Sequence, residues 1–113
     1  MSSWVKYHFT HLRRWREYAE KVSRAVQDLA PDAKVYVIGG VAEGRTTIYS
    51  DIDILVVVKS TDPNTRRKLL IDILERAIDT YGLPWDAPVE LHVVGEERAK
   101  EYLRHSRNVI RIL

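Results

Sequence analysis

The chain is predicted to fold as an α/β (α+β) protein, a small mixed β-sheet flanked by helices, with elements in the order α-β-β-α-β-α. Three observations predict it. Apolar residues recur at helical spacing near the start, after Pro63 and again after Glu96. Between those stretches lie three short runs rich in β-branched and aliphatic residues, bounded by Gly, Pro and Asp. A long helical stretch joins the second run to the third, the usual crossover between parallel strands.

From about Ser3 to Leu29 the residues Val5, Phe9, Leu12, Trp15, Ala19, Val22 and Val26 keep one apolar stripe, and Leu29 with Pro31 closes it. This predicts one long first helix. Lys34 to Ile38 reads as strand one, stopped by Gly39-Gly40, and Asp51 to Val58 as strand two, wholly apolar beyond Asp53. Asp62 is placed to cap a second helix that has Pro63 at its first position. Leu69, Leu70, Ile73, Leu74, Ala77 and Ile78 mark its buried stripe, and Gly82 and Pro84 end it. Pro88 to Val94 reads as strand three and Glu96 to about Arg107 as a third helix, while Asn108 to Leu113 fits either a helix end or a short edge strand. Strands two and three are expected to be parallel. The link from Gly39 to Ser50 carries no long helix, so strand one is expected to run antiparallel to strand two.

A length of 113 residues predicts a single domain spanning 1–113, with no room for a second. No apolar run approaches the roughly 20 residues of a membrane span, and no secretory signal is visible, so a cytoplasmic protein without a membrane partner is expected. The absence of cysteine excludes disulfides, thiolate metal sites and a cysteine nucleophile. A formal charge of +2 is too small to argue for nucleic acid as a partner. Arg13, Arg14 and Arg16 beside Trp15 and Tyr18 read as a solvated helix face over buried aromatics. His8 and His11 share a helix face but lack a third ligand, which reads as a pair of surface residues.

The topology brings the end of strand one and the beginnings of strands two and three to one edge of the sheet. Gly39, Gly40, Asp51, Asp53 and Glu90 all fall there. Asp51 and Asp53 are two apart, so on a strand they share a face about 6 to 7 Å apart, while Ile52 turns into the core. Three acids at one place repel one another unless a cation neutralises them. Oxygen ligands suit Mg²⁺, which binds through one or two carboxylates together with substrate phosphates. Two such ions, sharing Asp51, Asp53 and Glu90, would serve an in-line displacement at phosphorus. The paired glycines allow backbone to approach a triphosphate, and Ser50 is placed to add a hydroxyl contact. His92 should share the site-facing side of strand three with Glu90; contact with substrate and simple packing both explain it.

The stretch VIGGVAEGRTTIYSDIDILVVV, Val37 to Val58, with PVELHVV supplying Glu90, resembles the DNA polymerase beta nucleotidyltransferase superfamily, and most closely its minimal prokaryotic members. The shared pattern is a hydrophobic residue, Gly, Ser or Gly, a spacer, Asp-x-Asp in a hydrophobic strand, and a later acid. Gly40 stands where many relatives have Ser, and Glu43 where many have Arg. The resemblance implies a nucleotidyltransferase fold. It implies metal-binding and catalytic roles for Asp51, Asp53 and Glu90, and nucleotide contacts from Gly39, Gly40 and Ser50, with Arg45 in place of the missing loop arginine. The implied activity is Mg²⁺-dependent transfer of a nucleoside monophosphate, AMP from ATP foremost, to a hydroxyl of a protein or small molecule. Small relatives are often encoded with a helical HEPN-type partner, in some cases as its antitoxin, so such a partner or a homo-oligomer is implied. The alternative is a catalytically inactive module that pairs with a helical protein.

Overall fold

The computed structural model describes residues 3–44, 51–60 and 62–113. Its elements are α1 Ser3–Arg13, α2 Trp15–Leu29, β1 Lys34–Ile38, α3 Gly39–Ala42, β2 Ile52–Val58, α4 Pro63–Asp79, β3 Val89–Gly95, α5 Glu96–Arg104 and β4 Ile110–Arg111. The sheet has four strands in the order β3-β2-β1-β4. β1 runs antiparallel to β2, and β2 runs parallel to β3, as the crossover through α4 requires.

The expected long first helix is two helices. Arg14 leaves helical geometry at φ −91°, ψ 18°, and its guanidinium grips Glu17 at 2.9 Å to hold the corner. The turn places Tyr7 of α1 where its hydroxyl donates to Asp86 at 2.7 Å in the loop before β3. The reading of His11 as a surface residue is also corrected. It is buried, with Nδ1 against the Tyr18 hydroxyl, because the corner folds α1 back over that side chain. The last segment resolves as an edge strand: β4 pairs with β1 through Tyr36↔Arg111 and Val37↔Ile110, and α5 stops short of the expected Arg107.

Local chemistry explains the other boundaries. The Asp62 carboxylate accepts from the Asn64 amide at 3.2 Å and the Thr65 hydroxyl at 2.7 Å, closing the first turn of α4 beside Pro63. Gly82, at φ +74°, carries the chain out of that helix. Strand parity then sorts the side chains. Ile52, Ile54 and Val56 pack with Val35 and Val37 into the larger core, which includes Ala19, Val22 and Val26 of α2 and Ile73 and Ala77 of α4. Leu55 and Val57 turn the other way, to Ile38, Val94 and Ala99, where α5 covers part of the opposite face. Among the described residues no helix is long and apolar enough to cross a membrane.

Candidate active site

The candidate site residues sit on the less-covered face because Asp53 has the parity of Leu55 and Val57. Register lines them up: Ile38 lies across from Asp53 in the antiparallel pair, and Asp53 across from Glu90 in the parallel pair. His92 follows Glu90 by one strand repeat and therefore points to the same side. Ile52, fully buried between the acids, anchors the strand to the core below.

The result is a group of three side chains, Asp53, Glu90 and His92, whose ligand atoms all lie within 4.8 Å of one another. His92 Nε2 stands 3.4 Å from Asp53 Oδ1 and 3.9 Å from Glu90 Oε1. The ring is backed by Tyr102 of α5, with ring centroids 5.4 Å apart. The long hydrogen bond to Asp53 raises the imidazole pKa above its ordinary value, with burial working against it and the Glu90 charge adding to it. Asp51 lies outside this group. It is exposed, one residue ahead of β2.

Gly39 fits against Asp53 closely enough to fix its own identity. Its φ is +75°, and a Cβ built there would fall 2.5 Å from Asp53 Oδ2. The backbone at the end of β1 thus passes directly against the carboxylate, an approach that any side chain would block. The glycine pair ends β1 as expected and begins the short helical turn α3, with Gly40 part-buried inside it. Glu43, just beyond α3, accepts from the Arg107 amide at 2.8 Å and so ties the turn to the C-terminal segment. Arg45 and Ser50 lie outside the described residues.

The donor set is two carboxylates and an imidazole, partly exposed and converging from two adjacent parallel strands. Such a set fits a divalent cation, since each residue can direct one atom to a common point. His92 is the residue that sequence reasoning left undecided; its signal was its spacing, one strand repeat beyond Glu90.

A family model described as a nucleotidyltransferase domain matches residues 19–112. The match takes in Gly39, Gly40, Asp51, Asp53, Glu90 and His92. Two solved structures are similar to the chain. One, a provisionally assigned nucleotidyltransferase, superposes with a TM-score of 0.59 at 24% identity, covering 83% of this chain and 96% of that one. The other, a provisionally assigned nucleotidyltransferase from Sulfolobus solfataricus, has a TM-score of 0.62 at 21% identity, covering 92% of this chain and 84% of that one. Identities this low establish a common fold. No curated protein matches the chain. The family match over most of the sequence and the shared fold agree with each other, and the chain belongs to the nucleotidyltransferase domain family.

Proposed function

We propose that the protein transfers a nucleoside monophosphate from a nucleoside triphosphate, ATP by preference, to a hydroxyl group of a protein or small-molecule acceptor. The observation that carries this reading is Asp53 paired with Glu90 by strand register, with Gly39 packed against the Asp53 carboxylate and His92 one strand repeat beyond Glu90. Divalent ions bound there, Mg²⁺ foremost, would neutralise the triphosphate and favour ionisation of the acceptor hydroxyl. Asp51 and Asp53 hold the triphosphate end of the site and Glu90 the acceptor end. The backbone at Gly39 and Gly40 borders the phosphates, with Ser50 and Arg45 as further contacts. The acceptor oxygen forms its bond to the α-phosphorus as the bond from that phosphorus to the bridging oxygen breaks, and pyrophosphate leaves.

A helical HEPN-type protein, or a second copy of the chain, is the partner we propose for acceptor presentation. An apolar surface supports it: Trp85 is 84% exposed, and Tyr7, 55% exposed, is hydrogen-bonded to the adjacent Asp86. The same surface is the observation that favours a second reading, an inactive module retained for pairing.

The test is incubation with α-labelled ATP, Mg²⁺ and the candidate partner, using the parent and the Asp51→Asn and Asp53→Asn variants. Label transferred by the parent and lost in both variants is expected. Equal labelling by the parent and the Asp51→Asn, Asp53→Asn double variant would overturn the catalytic reading. Calorimetry separates the second reading, since an inactive module has no reason to bind ATP in a metal-dependent way.

A further inference from the structure

The cluster beside Asp53 differs chemically from a pure carboxylate site. At 3.4 Å, the His92 Nε2 to Asp53 Oδ1 distance exceeds the roughly 2.7 to 3.2 Å of an ordinary N–H···O hydrogen bond. It is a good separation for two ligands of one ion. Metal–ligand bonds of about 2.1 Å put neighbouring ligand atoms about 3.0 Å apart in octahedral geometry and about 3.4 Å in tetrahedral geometry, with opposite ligands near 4.2 Å. The separations of 3.4 Å to Asp53 and 3.9 Å to Glu90 lie inside that span. The ring is also held for the purpose. Tyr102 packs against it, and Nε2, rather than Nδ1, faces both carboxylates.

We propose that His92 is itself a metal ligand, completing with Asp53 and Glu90 an ion position that takes a first-row transition ion, for which Mn²⁺ is the probe, ahead of Mg²⁺. The inference rests on the reading of this cluster as the metal site of a nucleotidyltransferase, and it goes further by giving the two ion positions different chemistry. A position at Asp51 and Asp53 would offer oxygen donors only, which suits Mg²⁺. The position at Asp53, Glu90 and His92 contains a nitrogen donor, which Mg²⁺ accepts poorly and transition ions accept well. Nothing else among the described residues contributes an imidazole to the group.

The experiment is pulsed electron paramagnetic resonance on the full chain loaded with Mn²⁺, alone and with pyrophosphate, neither of which brings nitrogen to the ion. Nitrogen hyperfine modulation is expected in the parent, and it should change when histidine is supplied with heavy nitrogen. It should vanish in His92→Gln, whose amide oxygen can still bind. The Mg²⁺ concentration that displaces half the Mn²⁺ should fall at least about tenfold in His92→Gln, as befits loss of a preferred ligand. If that variant proves unfolded by circular dichroism, the labelling of the parent still decides. Mn²⁺ bound by the parent and lost in Asp53→Asn, but without nitrogen coupling, overturns this inference and leaves the proposed transfer reaction standing. Failure of the parent to bind Mn²⁺ even with pyrophosphate overturns both.

Discussion

Replacing Gly39 with Ala tests the packing on which the site depends. Two costs arise. An L-residue at φ +75° sits in the left-handed region, at about 1 to 2 kcal/mol. The new Cβ would also lie 2.5 Å from Asp53 Oδ2, so the carboxylate must recede by most of an ångström. Because the obstacle is a rotatable side chain, it swings off its rotamer at about 0.5 to 1.5 kcal/mol instead of forcing the strands apart. The sum, about 1.5 to 3.5 kcal/mol, is below the stability of a typical domain, so Gly39→Ala should fold with a Tm lowered by about 6 to 15 °C. Gly82→Ala is the control. Its φ is +74°, but its Cβ meets nothing nearer than Lys21 Nζ at 3.8 Å, so it should bear the backbone cost alone. In the α-labelled ATP assay, Gly39→Ala should lose at least about a hundredfold in rate, since the carboxylate proposed as catalytic is displaced by nearly 1 Å, whereas Gly82→Ala should retain the parental rate. A Gly39→Ala protein that transfers label like the parent would refute the reasoning, because the position of Asp53 would then not matter.

Glu90→Gln should lower transfer by at least about a hundredfold while leaving the melting curve unchanged, as expected for an exposed group that acts on charge alone. Tyr18→Phe should destabilise the chain by about 1 to 3 kcal/mol in urea titration, because it strips the buried His11 Nδ1 of its partner. Ile54→Ala, at a fully buried position between the sheet and its helices, should cost about 2 to 5 kcal/mol, measured the same way. Acid unfolding should respond to Asp28, whose pKa is lowered first by the Tyr81 hydroxyl and then by Arg76. A carboxyl depressed in the folded state contributes stability above its unfolded pKa of about 3.9, and the contribution is lost as pH falls through the folded value. Asp28→Asn should therefore flatten the acid limb of the stability–pH curve below about pH 5; an unchanged limb would contradict the assignment.

What could be read from the sequence was whatever had a local cause. Lys34–Ile38 is bounded by Pro31-Asp32 before it and Gly39-Gly40 after it, and α4 by the Asp62-Pro63 cap and by Gly82, so their limits follow from neighbouring residues. Pairing directions followed from connection length. The break at Arg14 had no such mark, since neither Gly nor Pro occurs there and the apolar stripe runs through it unbroken. The burial of His11 depends on Tyr18 beyond that corner and on Asp86 in a distant loop, a tertiary cause that periodicity does not carry. The short helical turn at Gly39 was not predicted, because Gly39-Gly40 marked only the end of the strand. In the site, topology and parity predicted that Asp51, Asp53 and Glu90 would meet at one edge; Asp53 and Glu90 do. Asp51 shares their edge of the sheet but stands ahead of the strand, outside the ligand group, because β2 begins at Ile52. His92 could be placed on the right face, but whether its ring turned toward the acids or into packing was set by Tyr102, from a helix that comes later in the chain.

The central claim, that these side chains clasp a divalent ion next to the glycine turn, is most directly tested by anomalous scattering from crystals grown with Mn²⁺ and a non-hydrolysable nucleoside triphosphate. The account predicts a peak about 2 Å from carboxylate oxygens of both Asp53 and Glu90, with the triphosphate beside Gly39. A map with the triphosphate bound elsewhere and no peak between those two residues would contradict it.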